Sequence, residues 1–570
     1  MTGRTRSSVH RNTLGAIGVW LTLLSHAAQA QRADPRQQVD RLFSTYTRKN
    51  SPGCALAVIR DGRIVYEKGY GMANVEYAVP IGPGTIFHIA SVSKQFTAFA
   101  IQLLVADGRL SLDDDVRKYL PELHDFGATI TIRHLLHHTS GLRDQWTLLN
   151  MAGWRSGDII TEDDILGLVW RQTALNFAPG EEELYSNTGY TLLGLIVQRV
   201  SGRTLRQFSD ERIFGPLGMT HTHFNDDNTE VIAGRAYSYS PRDSGRVSNA
   251  PLQYANVGAT NLLTTVEDMA RWDRNFNDGK VGGARVLEAM LQPGTLSSGK
   301  TTDYASGLSL GEYRGVRTIA HSGSDAGFRS DYLRFPEQRF SVVLLSNLSS
   351  VDVDGLARQV ADIYLADQLG PRPKTQTLAT PQETQVDPKL YDNYIGDYLL
   401  GPDLVFTFSR DRDQLWLMAT GRGKMQVFPL SATEFFFKGI GARFRFVVGQ
   451  DGRANKVVLN DGGVEMPGPR FTRVLPGSHQ LAEYAGDYYS SELDAVYVVA
   501  QRDSGLTLRY PRGVLPLEPI QQDTYVAGYP IGNVQFIRDE ASRVIRGFKL
   551  TSGRVRNVSF ERIHLPSASH

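Results

Sequence analysis

From Cys54 to Tyr70 two strand-like runs of alternating apolar and polar residues flank Asp61-Gly62. Asp-Gly tolerates the positive φ of a tight turn, so this stretch predicts an antiparallel hairpin. The apolar period then lengthens to that of helices at Ser91 to Val105, Thr131 to His138, Thr188 to Val200 and Thr265 to Phe276. Thr161 and Thr265 each open a Thr-x-x-Asp box, the pattern that starts a helix by capping its first amides. Leu308 to Leu310, Ser330 to Phe335 and Phe340 to Ser346 read as strands, and Leu356 to Leu365 as an amphipathic helix with Ala357, Val360 and Ile363 on a face. Residues 31–370 therefore predict a mixed α and β domain.

The pattern breaks over 371–388, where Pro, Thr and Gln dominate and too little apolar surface exists to fold, which predicts a linker. Beyond it short alternating strands take over and the chain repeats itself. Leu390 to Tyr398 recurs as Leu481 to Tyr488, Ala442 to Val448 pairs with Asn533 to Arg538, and Phe471-Thr472-Arg473 with Phe560-Glu561-Arg562. Two copies of one all-β unit, over 389–475 and 478–566, are expected, each a small lipocalin-like barrel because closure removes exposed sheet edges. Phe435-Phe436-Phe437 and Trp416 are expected to fill the interior of the first.

Composition narrows the function. The 570 residues suit several domains, and 61 Lys plus Arg against 60 Asp plus Glu leave no positive surplus to hold a phosphate backbone, so no nucleic-acid partner is expected. Residues 1–30 read as an export signal: Arg4, Arg6 and Arg11 precede the apolar run Leu14 to Leu24, and Ala28-Gln29-Ala30 follows as a small-x-small cleavage pattern. The mature protein is then periplasmic or secreted, with no membrane span left. A lone cysteine, Cys54, cannot close a disulfide within the chain, so packing must supply the stability.

Ser91-Val92-Ser93-Lys94 is the strongest chemical candidate, because positions i and i+3 share a helical face and bring an amine to a hydroxyl. Ser297-Ser298-Gly299-Lys300 has the same spacing but no apolar helix after it. A lysine with an unperturbed pKa of about 10.4 needs burial or a neighbour before it can act as a base. Tyr185-Ser186-Asn187, just ahead of an apolar helix, offers a second polar group; Tyr254-Ala255-Asn256 and Tyr391-Asp392-Asn393 are decoys of the same form. His321-Ser322-Gly323, followed by Ser324, lies between strand-like segments, where a glycine lets a substrate backbone approach the strand edge. Two rival motifs fail on context. Gly307-Leu308-Ser309-Leu310-Gly311 has the form of a nucleophile elbow without the helix that must follow. His134, His137 and His138 lack the glutamate of a zinc helix, so no metal is expected.

In this order, and with His88-Ile89-Ala90 and Leu135 to Leu142 around them, the three elements resemble the penicillin-recognising serine hydrolases: class C β-lactamases, D-Ala-D-Ala carboxypeptidases of that lineage, and related esterases and D-aminopeptidases. The resemblance implies an antiparallel sheet flanked by helices with a helical subdomain, and no cofactor. It also implies Ser91 as the acylated nucleophile, Lys94 and Tyr185 as the proton-handling pair with coupled titrations, and Asn187 on the substrate amide. His321, Gly323 and Ser324 line the substrate, with the Ser91 and Ser324 amides as oxyanion donors. His321 stands where β-lactamases carry lysine, and a mostly neutral imidazole grips a carboxylate less firmly, so efficient penicillin hydrolysis is not expected. A His-x-Gly third element followed by two barrels is similar to the D-aminopeptidases. The expected activity is hydrolysis of small D-amino-acid peptides, amides or esters. A β-lactamase or D-Ala-D-Ala carboxypeptidase, and a non-catalytic sensor of cell-wall peptides, are the alternatives. The barrel segments Gly528 to Gly532 and Gly439 to Gly441 are candidates to approach the site. Nothing in the sequence sets an oligomeric state.

Overall fold

The computed structural model describes residues 1–3, 34–48, 50–155, 157–371, 383–438, 440–461 and 464–563. Residues 4–30 of the expected export signal and most of the expected linker lie outside them.

The hairpin forms as β1 (Cys54–Arg60) and β2 (Arg63–Tyr70), with Asp61 and Gly62 at φ 52° and 71°, the left-handed pair that a two-residue turn requires. β1 does not alternate, however. Cys54 to Ile59 are all buried, because β1 is an inner strand of a six-stranded antiparallel sheet ordered β3 (Ser309–Tyr313), β4 (Val316–Asp325), β5 (Phe328–Phe335), β6 (Phe340–Ser346), β1, β2. Helices cover both of its faces. Pairing of β1 with β6 sets Cys54 opposite Ser346 and ties the start of the domain to its end.

One face packs under α1 (Pro35–Leu42) and α6 (Val353–Tyr364), where Val39, Leu56, Val342 and Val360 share a core. The other carries α2 (Lys94–Ala106) and α5 (Val266–Asp278), whose Phe96, Phe99 and Trp272 meet Ala55, Ala57 and Ile59. Between them lie α3 (Gln145–Ala152) and α4 (Asn187–Ser201), part of the helical subdomain. The Thr161 box has both arms. At Thr265 only the hydroxyl arm forms, because the Asp268 carboxylate accepts instead from the His221 amide and the Thr222 hydroxyl.

The C-terminal region is two closed eight-stranded antiparallel barrels, Gly396–Gly401 through Val464–Phe471 and Gly486–Ser490 through Val555–Ile563. Their repeated residues do the same work twice: the Tyr398 hydroxyl donates to the Tyr394 carbonyl at 2.9 Å and Tyr488 to Tyr484 at 2.7 Å. Arg470 and Arg562 likewise donate to the carbonyls of Ile395 and Ala485. This corrects the expected C-terminal alignment. Asp397 faces Phe471 and Asp487 faces Ile563, so the equivalent of Phe471 is Ile563, not Phe560. Side-chain alternation with a period of two does not by itself fix register. Phe435 and Phe437 join the interior of the first barrel, whereas Phe436 turns outward against Phe428 and Trp416 lies on the outer wall beneath Lys424.

The second barrel is seated on the α and β domain and their apolar residues form one continuous cluster. Arg143, with its side chain wholly buried, pairs with Glu492 at 2.8 Å and donates to the carbonyls of Arg556 and Asn557. Tyr497 donates to the Met151 carbonyl. Gly153, at φ 105°, closes α3 where Pro511 leaves no room for a Cβ. The first barrel joins the second through Val405, Ile520 and Val526.

Candidate active site

Ser91 sits on a short 3-10 turn, Ala90–Ser93, one step before α2, so the helix begins at Lys94 and not at Ser91. Ala90 holds φ 47°, a conformation that alanine adopts only when its surroundings impose it. The surroundings include β4 and β5. A Cβ on Gly323 would come 2.4 Å from the Ile89 carbonyl and 2.3 Å from Ser330 Oγ, whose hydroxyl donates to that same carbonyl. Glycine at 323 thus lets this strand lie close against the Ala90–Ser93 turn, and Gly323 also lines the cleft.

Lys94 is fully buried, with its Nζ 3.0 Å from Ser91 Oγ, 2.8 Å from Asn187 Oδ1 and 2.6 Å from the Ala259 carbonyl. The amide oxygen and the carbonyl only accept, whereas the Ser91 hydroxyl can donate or accept. Charged, the amine can donate to all three; neutral, it keeps its bonds to Asn187 and Ala259 and can accept from the Ser91 hydroxyl. Burial brings the Lys94 pKa down to about 7, against the opposing pull of Asp325 and Asp144.

Asn187 opens α4 and is engaged at both ends, its Nδ2 donating to Asp144 Oδ2 at 2.8 Å, and its backbone N–H reaches the same oxygen at 2.9 Å. Its Oδ1 holds Lys94, and Asn187 also lines the cleft in which a substrate contact is expected. Asp144, 2% exposed, also caps α3 by accepting from the Trp146 and Thr147 amides. Sequence reasoning missed Asp144, although it directly follows the Leu135 to Leu142 stretch and Arg143.

The Tyr185 ring lies 4.9 Å from Lys94 Nζ and its hydroxyl faces Ser91. Burial pushes this phenol up, so it stays protonated at physiological pH. His138, which accepts from the Ser186 amide, packs against Tyr185 and Tyr304 and fixes the loop; burial holds its imidazole neutral. His137 is tied to the Tyr304 carbonyl and His134 accepts from Thr131, so both serve the helix end. His321 Nδ1 is 2.7 Å from the Ser322 carbonyl, which can only accept, so Nδ1 carries the proton and Nε2 accepts from the Tyr304 hydroxyl at 2.9 Å. Burial, with Lys94 nearby, drops its pKa to about 3.

Ser91, Tyr185, Asn187, His321, Gly323 and Ser324 line one cleft of about 520 Å³, with Lys94 beneath its floor. The decoys are elsewhere. Tyr254 stacks on Trp146 at 4.6 Å, Ser309 lies in β3, and Lys300 belongs to a turn that closes on Leu296. Of the two barrel segments expected near the site, Gly528 packs against Gly421 of the first barrel and Tyr529 stands beside Thr147, while Gly439 lies outside the described residues. The barrel group that lines the cleft is Arg554, on the turn between Ile545–Ser552 and Val555–Ile563, which no sequence signal marked.

A family model described as Beta-lactamase matches residues 39–365. The chain is 29% identical to a penicillin-binding protein of Bacillus subtilis over 76% of its own length and 98% of that protein. It is 27% identical to a D-aminopeptidase of Gluconobacter oxydans over 84% of its length and 88% of the relative. Among solved structures, a D-amino acid amidase of Ochrobactrum anthropi is similar with a TM-score of 0.50 and 26% identity, covering 59% of this chain and 98% of that one. An octameric penicillin-binding protein homologue of Pyrococcus abyssi shares the fold with a TM-score of 0.54 at 24% identity, over 85% of this chain and 99% of the other.

Proposed function

We propose, from the premise that this chain belongs to the Beta-lactamase family, that it is an exported serine hydrolase that cleaves small D-amino-acid peptides, amides or esters through an acyl-enzyme at Ser91. The observation that carries this reading is the fully buried Lys94 amine, held by Asn187 Oδ1 and the Ala259 carbonyl with its Nζ 3.0 Å from Ser91 Oγ.

Ser91 Oγ attacks the carbonyl carbon as its proton passes to Lys94 Nζ, and the backbone N–H groups of Ser91 and Ser324 receive the developing oxyanion. Collapse breaks the carbonyl bond to the leaving nitrogen or oxygen, which takes up the proton held by Lys94 through the Tyr185 hydroxyl. A water then attacks the ester, gives one proton back to Ser91 Oγ, and leaves the acid as product. Similarity to a D-aminopeptidase and a D-amino acid amidase supports the stereochemical preference. Asp352, which lines the cleft with an exposed carboxylate bonded, among the described residues, only to the Gly355 amide, supports a substrate that carries an ammonium. The neutral His321 argues against fast penicillin turnover.

A covalent serine-hydrolase label tests the reaction: wild type is labelled and Ser91→Ala is not. Absence of label on wild type would favour a cell-wall sensor. D- and L-alanyl anilides and a chromogenic cephalosporin test the substrate class, with the D-anilide turned over fastest; rapid cephalosporin turnover would overturn it. Sequencing the N-terminus of secreted protein tests cleavage after Ala30.

A further inference from the structure

We propose that Arg554, delivered by the last hairpin of the second barrel, is a specificity-determining residue that receives a substrate carboxylate, so that preferred substrates carry a negative charge beside the bond to be cut. The term substrate rests on the hydrolase reading; the binding claim does not.

Arg554 lines the cleft that holds Ser91, its guanidinium 4.7 Å from the Tyr185 ring centre. Among the described residues that guanidinium makes no hydrogen bond, and its side chain is 46% exposed. Its nearest carboxylate, Asp144 at 3.9 Å, is occupied by the Asn187 and α3 amides. The other basic groups of the site are more engaged: Lys94 faces Ser91 from below, His321 is neutral with both ring nitrogens bonded, and Arg329 Nη1 donates to the carbonyls of Ala326 and Phe328. Arg554 is thus the cleft-lining guanidinium that makes no hydrogen bond to protein among the described residues, so its whole donor fork stays open to a ligand.

Its backbone is rigidly placed. The Arg554 carbonyl accepts from Asn176 Nδ2 at 3.0 Å, the Asn176 side chain accepts from the Arg556 amide at 2.8 Å, and Arg143 clamps the carbonyls of Arg556 and Asn557. A preplaced guanidinium matches a carboxylate with two parallel charge-assisted bonds and loses little freedom in doing so. The acids of the cleft sit on other elements: Asp325 is engaged with His88 and Thr260 and Asp354 with Arg358, while Asp352 at the start of α6 keeps an exposed carboxylate. The site is therefore bipolar, suited to a small peptide-like molecule with opposite charges at its two ends.

The test uses binding, with no bond broken. Full-length Ser91→Ala is titrated calorimetrically with N-acetyl-D-alanine and with N-acetyl-D-alaninamide, and the same pair is titrated into Ser91→Ala/Arg554→Gln of unchanged melting temperature. The acid is expected to bind at least about tenfold tighter than the amide, and the Arg554→Gln change to bring that ratio below about twofold. Equal binding of acid and amide, no binding of either at millimolar concentration, or a preference that survives Arg554→Gln would each overturn the proposal. A carboxylate preference that depends on Arg554 in a protein whose wild type turns over no substrate would sink the hydrolase reading and leave this one standing.

Discussion

A lysine amine serves as a base near neutral pH only if its charged form is made costly, and Lys94 meets that condition by complete burial under Tyr185 and Tyr190. With its pKa lowered to about 7, Lys94 is protonated and unable to accept the Ser91 proton at lower pH. The pH profile of kcat/KM should therefore rise through about pH 7. The Asp144 charge pulls the Lys94 pKa upward, so Asp144→Asn removes that pull and should move the rising limb to lower pH, with kcat/KM reduced because Asn187 loses its anchor. Loss of rate without a shifted limb would refute the electrostatic part. Tyr185→Phe keeps the packing against His138 but removes the hydroxyl facing Ser91, and should lower kcat/KM about a hundredfold with the melting temperature nearly unchanged. Since burial pushes the phenol up, no falling limb from Tyr185 should appear within the neutral range.

Local elements carry the site through their ends. α2 starts at Lys94, just after the turn that carries Ser91, α4 starts at Asn187 and α3 is capped by Asp144, so three helix N-termini meet at one cleft and each orients a group of the candidate site. The far end of α3 is equally constrained. Gly153 takes a left-handed conformation and a Cβ there would lie 2.6 Å from that of Pro511. Gly153→Ala should cost about 1–2 kcal/mol or more and loosen the barrel contact, read as a lower melting temperature together with faster proteolysis in the second barrel. A variant as stable as wild type would show that the loop shifts freely.

Across the whole molecule the second barrel is part of the catalytic body. The Arg143–Glu492 pair is buried at the joint, and Arg143 precedes Asp144 in the chain. Arg143→Ala leaves Glu492 charged and unpaired in a dry interface, which should cost about 3–5 kcal/mol by chemical denaturation and lower activity, while pairing it with Glu492→Gln should recover part of the loss. Much of this was legible in the chain. The Asp61-Gly62 turn, the helix boxes, the Ser91–Lys94 spacing and the duplicated Tyr394 and Tyr484 segments are local patterns whose geometry follows from backbone sterics and periodicity. Folding decided what depends on distance. The β1 to β6 pairing, the burial of Lys94, the Asp144–Asn187 anchor, the tautomer of His321 and the arrival of Arg554 beside Tyr185 join residues far apart in sequence. Spacing along a chain fixes which groups share a turn or a helix face. The desolvation and charge pairing that set their chemistry arise only where separate segments exclude water together.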